Sequence, residues 1–142
     1  MATHPLYWRD QQAMTWTATV LASSPSGIVL DDSAFYPGGG GQPADVGQLD
    51  WGGVFTRIAG VGADGLVPVE GDPVPPVGTT VTGRLDDERR QQIMRTHSAL
   101  HVVSGVIWRD FGSLVTGSGM EPMTGRLDFD LPVVPEGFKA DL

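Results

Sequence analysis

At 142 residues, 40% of them hydrophobic and 18% charged, the chain has the make-up of a soluble globular domain. That length suffices to bury about two-thirds of the unfolded surface. A formal charge of -8 argues against indiscriminate polyanion binding, although a local basic patch would still serve a nucleic acid. The lack of cysteine excludes disulfides, thiol catalysis and any thiolate–zinc site within this sequence.

The first ten residues lack a basic start followed by an apolar stretch, so they do not read as a signal peptide. No apolar run approaches ~18 residues, so no membrane span is expected and a cytoplasmic location is the default. Residues 14–21 alternate Thr15, Thr17 and Thr19 with Trp16, Ala18 and Val20, the pattern of a half-buried strand. A Ser/Pro/Gly turn at 23–27 precedes Ile28-Val29-Leu30, which predicts a hairpin.

The block at 31–43 contains Asp31, Asp32, Ser33, Phe35 and Tyr36, then Pro37, glycines 38–41, Gln42 and Pro43; it is too irregular for helix or strand. Strands are predicted at 46–51 and 54–58 around Gly52-Gly53, a pair with two-residue hairpin chemistry. Residues 66–69 read as a short strand, 72–78 as a proline-stiffened connector and 79–85 as a further strand.

The pattern changes at Asp86. Asp86 or Asp87 can cap a helix, and the acidic trio 86–88 suits its positive end. Ile93, His97, Leu100, His101, Ser104 and Trp108 recur at helical spacing, which predicts a stripe facing the core. Gly112 closes the helix as a C′ residue. Strands are expected at 114–120 and 126–131, and a helix opens at 135–142. The fold class is α+β. A β-rich, barrel-like part (1–85) precedes a long HxxxH helix packed on an incomplete antiparallel sheet (86–142).

Three features carry chemistry. His97 and His101 stand one helical turn apart, so their imidazoles share a face and can offer a metal two nitrogens. By itself the pentad reads more readily as a pair of half-buried histidines hydrogen-bonded in the core. Ser98 occupies the place of a metalloprotease's glutamate, which argues against that peptidase chemistry. The glycine run gives up Cβ atoms where a backbone or substrate must approach closely. Its flanking aromatics and prolines set it apart from a plain flexible turn, and its N–H groups could serve a developing oxyanion. Gln42 adds a neutral donor and acceptor suited to a carbonyl or a water, and Ser33 supplies a hydroxyl that can recognise another. Finally, Arg84, Arg89, Arg90, Arg95 and Arg109 cluster in the sequence. They read either as a tRNA-type patch or, preferably, as a solvated surface balancing Asp86, Asp87 and Glu88.

Leu6-Tyr7-Trp8, the block from Asp31 to Gly47, residues 94–101 ending in His97-Ser98-Ala99-Leu100-His101, and Gly117-Ser118-Gly119-Met120 occur in an order that resembles the alanyl-tRNA editing family. That family comprises the free-standing AlaX proteins and the editing domain of alanyl-tRNA synthetase. The resemblance implies a hydrolase that deacylates mischarged tRNA(Ala) in trans, chiefly Ser-tRNA(Ala), with Gly-tRNA(Ala) as a second substrate. It implies zinc on His97 and His101, and substrate binding by Ser33, Gly39, Gly40, Gly41 and Gln42, with Gln42 the catalytic candidate. Ser33 stands where the family usually has threonine, keeping the hydroxyl that is associated with recognising misplaced serine. The family completes its zinc site with a later Cys-x-x-x-His, which this sequence lacks, so the chain reads as C-terminally truncated and its zinc site as incomplete. The Leu-Tyr-Trp match favours a free-standing protein. A partial tRNA-binding fragment, an editing domain of a longer synthetase and a metal-binding module unrelated to tRNA are the alternatives.

Overall fold

The computed structural model describes residues 3–134 and 136, in two compact units. The first comprises Met1–Gly38 and Ala44–Arg90; the second comprises Gly39–Pro43 and Gln91–Leu142. The helix expected at 135–142 lies outside the described residues, apart from 136.

The first unit opens with β1 (His4–Pro5) and a single turn, α1 (Leu6–Arg9). Then come β2 (Thr15–Ser24), β3 (Gly27–Leu30), β4 (Asp32–Ser33), β5 (Gly47–Trp51), β6 (Val54–Gly62), β7 (Gly65–Pro68) and β8 (Thr80–Leu85). Six of these strands close a barrel in the order β2-β3-β7-β6-β5-β8, every neighbouring pair antiparallel. Closure removes the open edges that would otherwise recruit other strands. The expected alternation in β2 holds: Thr15 and Thr17 face out while Trp16, Ala18 and Val20 are buried. They meet Ile28, Leu30, Leu49, Ile58, Leu66 and Val81 in the barrel core. Gly83 lies opposite Trp16, and a side chain there would strike the indole, so a bare backbone makes room for the ring.

Two-residue turns do what their chemistry predicts. Gly52 and Gly53 both hold positive φ (53° and 80°) between β5 and β6, as a type I′ hairpin requires. The connector before β8 is pinned on both sides. Thr56, fully buried, accepts from Trp51 Nε1 at 2.9 Å and donates to Pro73 O at 2.5 Å. Arg57 grips Asp72 through two guanidinium hydrogen bonds and its backbone N–H.

α2 (Asp87–Phe111) begins in the first unit and continues into the second. Asp86 is its cap, with Oδ1 accepting the Arg89 N–H at 3.0 Å. At the other end Gly112 takes φ 64° and donates to Trp108 O at 2.9 Å, the expected C′ arrangement. Within the second unit, β9 (Val115–Glu121) and β10 (Thr124–Phe129) form an antiparallel hairpin. The helix packs on it where Leu100 fills the space that a side chain at Gly125 would need, and where Thr96 Oγ1 accepts the Met123 N–H at 2.9 Å.

One expectation is corrected here. The core-facing stripe of α2 keeps Ile93 and Leu100 of the expected set but leaves out the histidines and Trp108. Ile93, Thr96 and Ile107 are buried and Leu100 is half-buried, whereas His97, His101 and Trp108 are exposed. The arginines differ too. Arg84 pairs with Asp50, Arg109 with Asp110 and the buried Arg90 with Asp45, rather than with the acidic trio. No helix among the described residues is long and apolar enough to cross a membrane.

Candidate active site

The second unit gathers the glycine turn, the helix and the hairpin around one cavity. Gly39 and Gln42 close a tight turn on each other: each N–H donates to the other's carbonyl, at 2.9 and 3.0 Å. Such closure requires left-handed backbone, and Gly38, Gly39, Gly40 and Gly41 all have positive φ. The turn then docks on β9. Met120 N–H donates to Gly41 O at 2.9 Å, and Ser118 Oγ donates to Gly40 O at 3.2 Å. Gly41 has no room for a side chain, because a Cβ would sit 2.7 Å from Ser118 O.

Docked in this way, the turn presents Gln42 to the helix. Gln42 Oε1 lies 3.0 Å from His97 Nδ1. A carboxamide oxygen only accepts, so His97 carries its proton on Nδ1 and turns a lone pair outward on Nε2. His101 Nε2 lies 2.9 Å from that atom, and the two rings stack with centroids 4.8 Å apart. Both imidazoles line a cavity of about 220 Å³, walled by Leu100, Met120, Leu127 and the backbone of Gly40. Its polar edge is the histidine pair with Ser104 and Ser118.

Of the residues singled out from sequence, Gly39, Gly40, Gly41, Gln42, His97 and His101 therefore assemble in this unit. Gly39 N–H is occupied inside the turn, which leaves Gly40 and Gly41 as the glycines of this unit that are candidate oxyanion donors. Ser33 belongs to the first unit. It is 5% exposed, and its Oγ accepts the Phe35 N–H at 3.3 Å. It lines that unit's own cavity of about 210 Å³, with Tyr7, Leu30, Phe35 and Leu66. Burial pushes the Tyr7 phenol up, with Tyr36 adding to the effect. His4 lies exposed on β1 and donates its backbone N–H to Asp31 O. Ser118 and Thr96 were not foreseen. Ser118 sat in a motif with no assigned role, and Thr96 one residue before the pentad.

Two nitrogens 2.9 Å apart can both reach one ion at the usual zinc–nitrogen distance of about 2.0–2.1 Å, and the Gln42 hydrogen bond gives His97 the tautomer that ligation needs. The donor set fits half of a zinc site. Among the described residues, no group of three or more His, Cys, Asp or Glu gathers to complete one.

No protein-family model matches the chain. The alanine–tRNA ligase of Korarchaeum cryptofilum is 41% identical over 113 residues, 78% of this chain. That of Thermococcus kodakarensis is 40% identical over 131 residues, 89% of the chain, and that of Thermofilum pendens 36% over 146 residues, 97% of the chain. The chain is a relative of the alanine–tRNA ligases. It spans 12, 14 and 16% of the length of these three ligases, so it corresponds to one segment of such an enzyme. The relationship agrees with the resemblance that the glycine block and the histidine pentad carry.

Proposed function

We propose that the chain is an editing hydrolase that deacylates mischarged tRNA(Ala) in trans, with Ser-tRNA(Ala) the main substrate and Gly-tRNA(Ala) a second one. The observation that supports this most is the pairing of His97 Nε2 and His101 Nε2 at the edge of one small cavity, with the His97 ring held by the Gln42 carboxamide, in a relative of alanine–tRNA ligases. A pocket sized for alanine cannot fully reject glycine or serine at the synthetic step, and a second hydrolytic site resolves the error. A cavity of about 220 Å³ suits an aminoacyl group rather than a larger ligand.

The reaction is ester hydrolysis. A water oxygen bonds to the carbonyl carbon, the bond from that carbon to the ribose oxygen breaks, and the ribose oxygen leaves with a proton. His97 and His101 would hold zinc, which supplies Lewis acidity when bound. Gln42 fixes the His97 ring through Oε1 and offers its NH2 to the substrate. The backbone N–H groups of Gly40 and Gly41 serve the carbonyl oxygen as negative charge builds on it.

The test is hydrolysis of Ser-tRNA(Ala), Gly-tRNA(Ala) and Ala-tRNA(Ala) by the 142-residue chain, with zinc content measured alongside. Clearance of the seryl and glycyl esters with the alanyl ester spared, and loss of both clearance and zinc in His97→Ala and His101→Ala, are expected. Indifference to both substitutions would refute the proposal. The two-histidine donor set favours one other reading, in which the chain binds tRNA(Ala) without turnover; tRNA binding with no hydrolysis of any ester would establish that instead.

A further inference from the structure

Asp45 and Arg90 form an ion pair in the first unit, Arg90 Nη1 to Asp45 Oδ2 at 2.7 Å, with side chains only 7% and 4% exposed for arginine and aspartate respectively. Every other ion pair among the described residues leaves its arginine more than half exposed. The bonds around the pair all fall on the neck of the glycine loop. Arg90 Nη1 also donates to Ala34 O at 3.3 Å, and Asp45 Oδ2 also accepts the Tyr36 N–H at 2.8 Å. Asp45 N–H donates to Tyr36 O at 3.0 Å, and Arg89 Nη1 donates to Ala44 O at 3.0 Å. Residues 34 and 36 lead into the loop, and residues 44 and 45 lead out of it.

A buried ion pair is a weak source of stability, since a packed apolar pair of similar volume folds as well or better. What apolar side chains cannot do is bond both legs of a neck at once. The Arg90 guanidinium does this, reaching Ala34 on one leg and Asp45 on the other. Fixing the ends of a seven-residue segment that contains four glycines removes most of the freedom those glycines confer. Burial pushes the Asp45 carboxyl up, while the Tyr36 N–H, Arg90 and Arg89 pull it down, so its charge depends on this neck being closed.

We propose that Asp45 and Arg90 are positioning residues. They lock the neck of the glycine loop, so that Gly39 and Gln42 keep the turn that presents the Gln42 carboxamide to His97. The catalytic consequence rests on the hydrolytic reading above; the effect on the loop does not.

The test replaces the pair with apolar residues of similar size, Asp45→Leu with Arg90→Met, in the full chain. The chain should still unfold cooperatively in urea, since packed apolar side chains of similar volume can replace a buried ion pair. The amide hydrogens of Gly39 and Gln42 should exchange roughly tenfold faster or more, with those of Val20 and Val81 in the barrel unchanged. Turnover of Ser-tRNA(Ala) should fall roughly tenfold to a hundredfold with KM moved by no more than about twofold, as expected of a displaced catalytic group. Unchanged exchange at Gly39 and Gln42 would overturn the proposal whether or not the chain deacylates anything, and a wild-type chain inactive on every ester would overturn only the hydrolytic reading. Should the double replacement fail to fold, Asp45→Asn keeps an acceptor for Tyr36 N–H but removes the charge. It should accelerate exchange at the same two amides, and wild-type exchange there would equally overturn the proposal.

Discussion

Replacing Gly40 and Gly41 separately with alanine tests whether the glycine turn is docked on β9 or merely flexible. The two positions differ in what an added Cβ would meet. Both hold left-handed backbone, φ 61° and 85°, which costs an L residue about 1–2 kcal/mol. The reduced freedom of the unfolded chain returns about 0.4–1 kcal/mol of this. A Cβ at position 40 meets nothing within 4 Å, so Gly40→Ala should cost about 1 kcal/mol in local stability. At position 41 the Cβ would lie 2.7 Å from Ser118 O, and the turn must lift off the strand. Lifting breaks the 2.9 Å bond from Met120 N–H to Gly41 O, worth a further ~1 kcal/mol, before any cost of moving Ser118. Gly41→Ala should therefore cost about 2–3 kcal/mol. Hydrogen exchange at the Met120 amide reads this directly, since its opening free energy is local. With tenfold per ~1.4 kcal/mol, the acceleration should be about fivefold for Gly40→Ala and roughly 30- to 100-fold for Gly41→Ala. Equal acceleration in the two variants, or the reverse order, would show that the turn does not rest on Ser118 and Met120.

Three further outcomes are expected. Asp72 is held down at about 2 by its side-chain and backbone hydrogen bonds from Arg57; this depressed carboxyl stabilises the fold above its ordinary value near 3.8 and loses that contribution as pH falls toward 2, so an NMR titration should give a midpoint near 2 that returns toward 3.8 in Arg57→Ala. Met123 sits at φ 62° on the hairpin tip with its side chain exposed, so Met123→Gly should raise stability by about 1 kcal/mol and the melting temperature by a few degrees; a lower melting temperature would contradict the strain. Ser33→Ala should slow clearance of Ser-tRNA(Ala) more than that of Gly-tRNA(Ala), and equal losses would remove its role in recognition.

The barrel was legible where one face of a strand is buried. Alternation in residues 14–21 and the paired glycines at 52 and 53 each have a local physical cause, and β2 and the β5–β6 turn follow from them. β6 runs to Gly62 rather than stopping near 58, because Gly60 and Gly62 look like breakers in sequence but are held in strand by pairing with β7. β1 and β4 are two residues each and pair in parallel across 28 positions, His4 with Asp32, with no local pattern to announce them. Arg90 was hardest of all. An arginine in a run of mixed charges reads as solvated, and only its partner 45 residues earlier explains its burial.

The histidine pair shows which part of a periodic pattern carries information. Spacing by four determines that two side chains share a face, but not which face the core takes. Ile93 and Leu100 of the expected stripe join Thr96 and Ile107 at the same period, and the burial of these four turns His97 and His101 to the cavity side. A core histidine would need its nitrogens satisfied by fixed partners. Here His97 Nδ1 has such a partner in Gln42, while the two Nε2 atoms face only each other. A neutral His101 with its proton on Nε2 donates to the His97 Nε2 lone pair, and a metal ion held by both nitrogens would take the place of that proton. That proton and a zinc ion compete for one place, which makes the competition between them measurable. Zinc affinity should fall as pH drops, because protons compete with the ion for the same two nitrogens. Affinity independent of pH between 5 and 8 would place the ion elsewhere.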